Sequence, residues 1–186
     1  MGIISSDEIL LDRARKGDQN AFREILERHQ HTVARTVAGM LGNTSDVDDV
    51  VQVVFIRFYK TLHRFRGEAA CRTYLTRIAI NASLDVLRQR KNLRSRFISR
   101  DDDKLPEPGA NDPESERFDR IQLINSAMNQ LKPHHRAVVV LRLIDGYSVI
   151  ETAELLGIAQ GTVMSRLSRA TAHLRTILGS ILEEEN

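Results

Sequence analysis

Residues 101–116, DDDKLPEPGANDPESE, hold three of the chain's four prolines and seven acidic side chains, with almost nothing apolar. Such a segment can neither continue a helix nor bury a face against a core, so it reads as a flexible linker. Taken as a 96–116 connection, it divides the 186-residue chain into two small domains, 5–95 and 117–182. Each domain then needs its own apolar faces, and the patterning on either side of the linker supplies them.

The first half reads as helices throughout. Residues 7–16 carry Ile9, Leu10 and Ala14 at helical intervals, and 18–31 carry Ala21, Phe22, Ile25 and Leu26. A third helix covers 31–41 and stops at Gly42-Asn43, where a left-handed cap is cheap. In DVDDVVQVVFIRFYKTL the apolar positions Val47, Val50, Val51, Val54, Phe55, Phe58 and Leu62 recur on one face. Ser45 and Asp48 before it have capping-box spacing, and acidic residues crowd the positive end of the helix dipole. FRGEAA (65–70) reads as a loop, followed by a helix over 71–92 that buries Tyr74, Leu75, Ile78, Ala79, Ala82 and Val86.

The second half opens with a helix over 118–131, and Pro133 starts another at its favoured first-turn position. AVVVLRLI (137–144) is β-branched enough for a strand, but Pro133 before it and Asp145-Gly146 after it bracket a helix. No strand partner exists nearby, so the fold class is all-α. Ser148 and Glu151 form a capping box that opens VIETAELLG. Ala153 permits a close helix crossing, Gly157 tolerates positive φ, and Val163 closes the pair, which is helix-turn-helix spacing.

The second helix of that pair contains GTVMSRLSRA (161–170). Val163, Leu167, Ala170 and Leu174 fall on its inner stripe, leaving Ser165, Ser168 and Arg169 outward and Arg166 on the flank. Hydroxyls and guanidiniums on a second helix of this kind suit the DNA major groove, and Gly161-Thr162 lie where a helix start can hold a phosphate.

Charge supports a polyanion partner. Residues 1–95 carry 16 Lys/Arg against 11 Asp/Glu, and VLRQRKNLRSRFISR (86–100) has six basic residues and no acidic one. No apolar run approaches the roughly 20 residues that span a bilayer, and the start lacks the pattern of a signal peptide. The single Cys71 excludes an internal disulfide and fits a reducing cytoplasm. His29 with His31, and His134 with His135, fall short of the three or four convergent ligands of a metal centre, so no metal and no cofactor are expected. Without a phosphate loop, nucleophile elbow or HExxH, no enzyme and no small-molecule substrate are expected.

Two motif sets, in order around the linker, resemble a known family. YSVIETAELLGIAQGTVMSRLSRATAHLR resembles region 4 of the bacterial sigma-70 factors, in their extracytoplasmic-function (group 4) class. FRGEAACRTYLTRIAINASLDVLRQRKN resembles region 2, DVDDVVQVVFIRFYKTL its core-binding helix, and ARKGDQNAFREILERH its start. The resemblance implies an alternative sigma factor that binds core RNA polymerase (β and β′ subunits) and promoter DNA, under control of an anti-sigma factor. It would be cytoplasmic, without inserting into the membrane itself.

By the same resemblance, Asp49 and Gln52 contact polymerase, and Phe65, Gly67, Ala69 and Ala70 with Asn81 receive a flipped base of the −10 element. An amide can address both donors and acceptors of an extruded base. Arg88, Arg90, Lys91 and Arg94 follow the DNA backbone there, and Gly161, Thr162, Ser165, Arg166 and Arg169 serve the −35 element. The sequence departs from the family pattern at Val53 (usually Glu), Cys71 (usually aromatic), Tyr74 (usually Trp) and Met164 (commonly basic). Two other classes share parts of this pattern, a self-sufficient helix-turn-helix regulator and a sigma-like adaptor that binds only protein. The first half lacks the β/α alternation of a receiver, which argues against the regulator.

Overall fold

A computed structural model of the protein describes residues 6–42, 44–65, 70–96 and 113–184, and among these every regular element is helical. The N-terminal unit comprises α1 (Asp7–Arg15), α2 (Gln19–Leu41), α3 (Asp46–Thr61), a 3-10 turn (Leu62–Arg64) and α4 (Cys71–Arg96). The C-terminal unit comprises α5 (Pro113–Gln130), α6 (Pro133–Val139), a π-helical turn (Val140–Ile144), α7 (Val149–Leu156) and α8 (Gln160–Glu184).

Three sequence expectations change here. The helices expected over 18–31 and 31–41 are one element, α2, because nothing near His31 breaks the backbone pattern. Its start is capped by Asp18, whose carboxylate accepts from the Asn20 and Ala21 amides, and its end by Gly42 at φ 76°. The Ser45–Asp48 capping box does not form. Ser45 already lies in the helical region and makes no side-chain cap bond, and an aspartate is one methylene shorter than the glutamate such a box uses. The third change concerns the linker. Residues 113–116 belong to α5, which Pro113 can start because a first-turn residue needs no N–H partner, and α4 runs through Arg96. The remainder of the expected linker, 97–112, lies outside the described residues.

AVVVLRLI is helical as expected, but only to Val139. The π-helical turn follows, closed by the Asp145 amide donating to Val140 O at 2.8 Å. That wider turn delivers Asp145 and Tyr147 to the N-terminal unit. One apolar core runs through both units, joining Val33, Val37, Met40 and Phe58 to Leu131, Val140, Leu141 and Tyr147. The contact between them is close because α2 has a glycine at the crossing. A Cβ on Gly39 would meet Val140 Cγ2 at 3.0 Å and Ile144 Cδ1 at 3.3 Å.

Polar groups lock the same seam. The Asp145 side chain is fully buried, accepting from Thr36 Oγ1 at 2.8 Å and from Arg35 Nε at 3.2 Å. Arg72 donates to the Asp145 carbonyl at 2.7 Å and lies 5.2 Å from the Tyr147 ring centroid, and the Tyr147 hydroxyl donates to Thr76 at 3.0 Å. Arg136, also buried, donates to Met40 O at 2.7 Å in one unit and to Asn129 O at 2.7 Å in the other. Met40 and Asn129 lie in the last turns of α2 and α5, so one guanidinium satisfies orphan carbonyls of two helix ends. The two units are therefore packed together as one body.

Candidate nucleic-acid interface

Helix α3 is amphipathic with a buried side, Val50, Val54, Phe55 and Phe58, and an outer side. Asp49, Gln52, Val53, Ile56 and Tyr59 share that outer side at steps of three and four residues, and all are exposed. The departure at Val53 thus adds apolar area to a surface already carrying Ile56 and Tyr59. A contiguous mixed stripe of this kind suits a protein partner better than water.

Round the edge of the same helix runs a groove between α3 and α4. Arg57, Lys60 and Thr61 line one wall, Tyr74, Ile78 and Asn81 the other, around a volume of about 330 Å³. Asn81 is exposed, and the Tyr74 hydroxyl donates to Thr61 Oγ1 at 3.1 Å, fixing the aromatic against the opposite wall. An amide, two cationic side chains and a tyrosine ring together offer hydrogen bonds, charge and a flat surface to a nucleotide. Of these residues only Asn81 was picked out from the sequence as a DNA contact. The signal for the others was the i, i+3, i+4 spacing of Arg57, Lys60 and Thr61 facing the i, i+4, i+7 spacing of Tyr74, Ile78 and Asn81.

The remaining residues expected at the −10 element divide into three groups. Phe65 is buried, its ring 4.7 Å from that of Tyr74 and 6.3 Å from that of Phe58, while Arg15 donates to its carbonyl. Its ring is therefore packed into the core just after the 3-10 turn. Gly67 and Ala69 lie outside the described residues, and Ala70 stands exposed just before α4. Of the basic stripe, Lys91 is exposed and Arg88 pairs with Asp85 at 3.2 Å. Arg90 is tied to Asp46 and to Thr44 Oγ1, so it braces α4 against the start of α3. Arg94 lies on α4, with its side chain outside the described residues.

In the C-terminal unit the helix-turn-helix forms as the sequence implies. Ser148 and Glu151 make both bonds of the capping box, and Gly157 is left-handed at φ 63° and ψ 41°. Ala153 and Val163 meet Val138 in a small separate core that sets the crossing of α7 and α8. The capping bonds from Ser148 hold the Glu151 carboxyl below its ordinary pKa.

On α8, Ser165, Ser168, Arg169 and Met164 face outward and Arg166 is half-buried on the flank. The Thr162 amide already donates to Ala159 O at 2.9 Å, so it is not available to a phosphate. Gly161 leaves open space where a side chain would stand. The start of α6 adds to this face. Burial first, then the charges of Arg166, Lys132, Arg169 and His134, push the His135 pKa down. Lys132 therefore borders the α8 surface and extends its positive field, with His135 held neutral beside it, an arrangement hidden in the sequence by some 30 intervening residues.

Family models match both units in order, sigma-70 region 2 over residues 25–93 and sigma-70 region 4 over residues 121–174. The ECF RNA polymerase sigma-E factor of Escherichia coli K12 is 34% identical over 173 residues, covering 89% of this chain and 90% of that protein. The chain belongs to the sigma-70 family. Within it, the similarity places the chain in the extracytoplasmic-function (ECF) class, as an alternative sigma factor acting in transcription initiation. The structure of CnrH in complex with the cytosolic domain of CnrY resembles this one with a TM-score of 0.69 and 30% identity, covering 95% of this chain and 99% of that one. The sigma factor RpoE of Bartonella quintana, solved with the anti-sigma factor NepR, shares the fold at a TM-score of 0.65 and 22% identity, over 85% and 96% of the two chains. Among the described residues, no helix of this sigma factor is long and apolar enough to cross a membrane.

Proposed function

We propose that this sigma factor docks on core RNA polymerase through the outer stripe of α3, receives a −10 base in the α3–α4 groove and reads the −35 element with α8. The observation that carries the proposal is that stripe and groove share α3, so the polymerase dock and the base pocket adjoin on one helix. Lys91 and Arg88 follow the DNA backbone beyond the groove. The chain performs no chemistry itself, acts in the cytoplasm and is held off promoters by an anti-sigma partner, as the Bartonella quintana sigma factor is seen bound to one. Bridging two promoter elements requires the packed units to part, with residues 97–112 as the connection.

Adding the purified chain to sigma-free core polymerase on a promoter template tests this reading. Initiation is expected from the chain plus core alone, and Gln52→Ala should weaken core binding while leaving the circular dichroism unchanged. Activation only alongside another sigma factor would instead indicate a self-sufficient regulator. Binding to an anti-sigma protein without any binding to core would indicate an adaptor.

The two arginines of α8 should act differently. Arg169, fully outward, can fork onto a guanine edge, so Arg169→Ala should change base preference at one or two pairs by about 1–3 kcal/mol. Arg166 sits lower on the flank, where phosphates pass, so its removal should weaken all sequences alike and reduce the salt slope by about one. A base-substitution series in the −35 element at two salt concentrations reads both effects.

A further inference from the structure

At the start of α4, three chemically different ligand groups converge from three helices. Asp7 lies in the first turn of α1, His29 in α2, and Cys71 is the first residue of α4. His29 Nε2 and Asp7 Oδ2 are 2.8 Å apart, and the donor atoms of all three residues lie within 4.8 Å of one another. The cysteine is buried, the histidine nearly so, and the aspartate about one-third exposed, which leaves a path from solvent. None of the three is among the residues assigned to polymerase or promoter in the proposed function.

We infer that Asp7, His29 and Cys71 form a site for a thiophilic divalent cation of the zinc type. Thiolate, imidazole and carboxylate are the three side-chain ligands zinc prefers, and bond lengths of about 2.0–2.3 Å place neighbouring ligands of a tetrahedral ion roughly 3.2–3.7 Å apart. Reaching that from the present positions needs the Asp7–His29 pair to open by a few tenths of an ångström and the sulfur to close by up to about 1 Å. Side-chain rotation at two helix starts supplies both. Charge also closes. A thiolate and a carboxylate balance two positive charges, and the adjacent Arg28, which donates to Asp7 Oδ1 at 3.2 Å, is itself paired with Glu24. Burial first, then the Asp7 charge, push the free thiol up to about 12, so an incoming cation must displace that proton. Water completes the fourth position on the exposed side of Asp7.

Cobalt(II) and then zinc(II), added to the untagged full chain, test this site. One equivalent of cobalt should give the absorption band of thiolate-to-cobalt charge transfer, and zinc should bleach it. Cys71→Ser should abolish the band, and His29→Gln and Asp7→Asn should each weaken binding by at least about tenfold, a 1.4 kcal/mol loss. His31→Gln and His134→Gln should change nothing. Circular dichroism accompanies every variant; should Cys71→Ser fail to fold, His29→Gln, where glutamine keeps a polar side chain at a position not fully buried, decides. A native chain with no charge-transfer band, or a His29→Gln chain that binds zinc as tightly as native, overturns the site and leaves a plain hydrogen-bonded pair beside a buried thiol. The measurement needs neither polymerase nor promoter, so its outcome is independent of the promoter reading.

Discussion

Arg136→Met should lower the stability of the packed two-unit body by about 3 kcal/mol, measured by urea unfolding of the full chain. Methionine keeps most of the apolar stem and fits the space, so little of the loss comes from packing. The loss comes from carbonyls. The guanidinium donates to Met40 O and Asn129 O at 2.7 Å, to Asn129 Oδ1 at 3.0 Å and to Leu131 O at 3.4 Å. Burial lowers its pKa to about 10, so it is still a cation at neutral pH. Without it the ends of α2 and α5 lose the buried donor that their carbonyls share, each costing about 1–3 kcal/mol if left unpaired. The native arrangement is imperfect, since Arg136 Nε itself lacks a partner, and that offsets part of the gain. A change under about 0.5 kcal/mol would mean that water replaces the guanidinium at both helix ends.

The second large effect is expected at Gly39. Even a methyl group there would press on Val140 Cγ2 at 3.0 Å, and Val140 is fully buried with a β-branched side chain that is stiff at χ1. Gly39→Leu should therefore drive the units apart while improving the intrinsic helicity of α2. Small-angle scattering should report a larger radius of gyration with unchanged helical content. Where only the separated form engages polymerase fully, packing reduces apparent affinity by the fraction that is open. The variant should then bind core polymerase more tightly, by up to about tenfold. Scattering and affinity both equal to native would show that the seam does not limit assembly.

Most of the local structure was legible, because its causes are local. The capping box at Ser148 and Glu151, the left-handed Gly157 and the inward stripe of α8 all rest on spacings of a few residues, and all appear. The failures at α2 and Ser45 have local causes too. Helix α2 continues because no residue near His31 breaks it, and the box at Ser45 fails because the Asp48 side chain is shorter than a glutamate.

The seam was not legible, for a different reason. Arg136 and Asp145 look in sequence like ordinary polar positions at the ends of helices, and their partners Met40 and Thr36 stand 96 and 109 residues away. Periodicity reports which side of a helix is apolar and carries no record of which distant carbonyl a guanidinium will find. The same holds for the cluster of Asp7, His29 and Cys71. The sequence offered a lone cysteine and an HxH pair, whereas folding separates His29 from His31 and sets it beside the cysteine instead. Phe65 is a further case: its burial against Phe58 and Tyr74 depends on rings 7 and 9 residues away on two other elements.

Helix α3 has a mechanical consequence. It is 16 residues long, about 24 Å at 1.5 Å per residue, and its two functional sides are fixed to each other by a single hydrogen-bonded rod. It therefore acts as a gauge. On the proposed reading, once its outer side is seated, the offset from the enzyme surface to the groove is set by the angular spacing of positions around one helix, without a loop or hinge in between. Substitutions on the seated side would then change how long the subunit stays, but leave unchanged which nucleotide arrives opposite Asn81. Spacing errors would have to enter through the connection to the other unit.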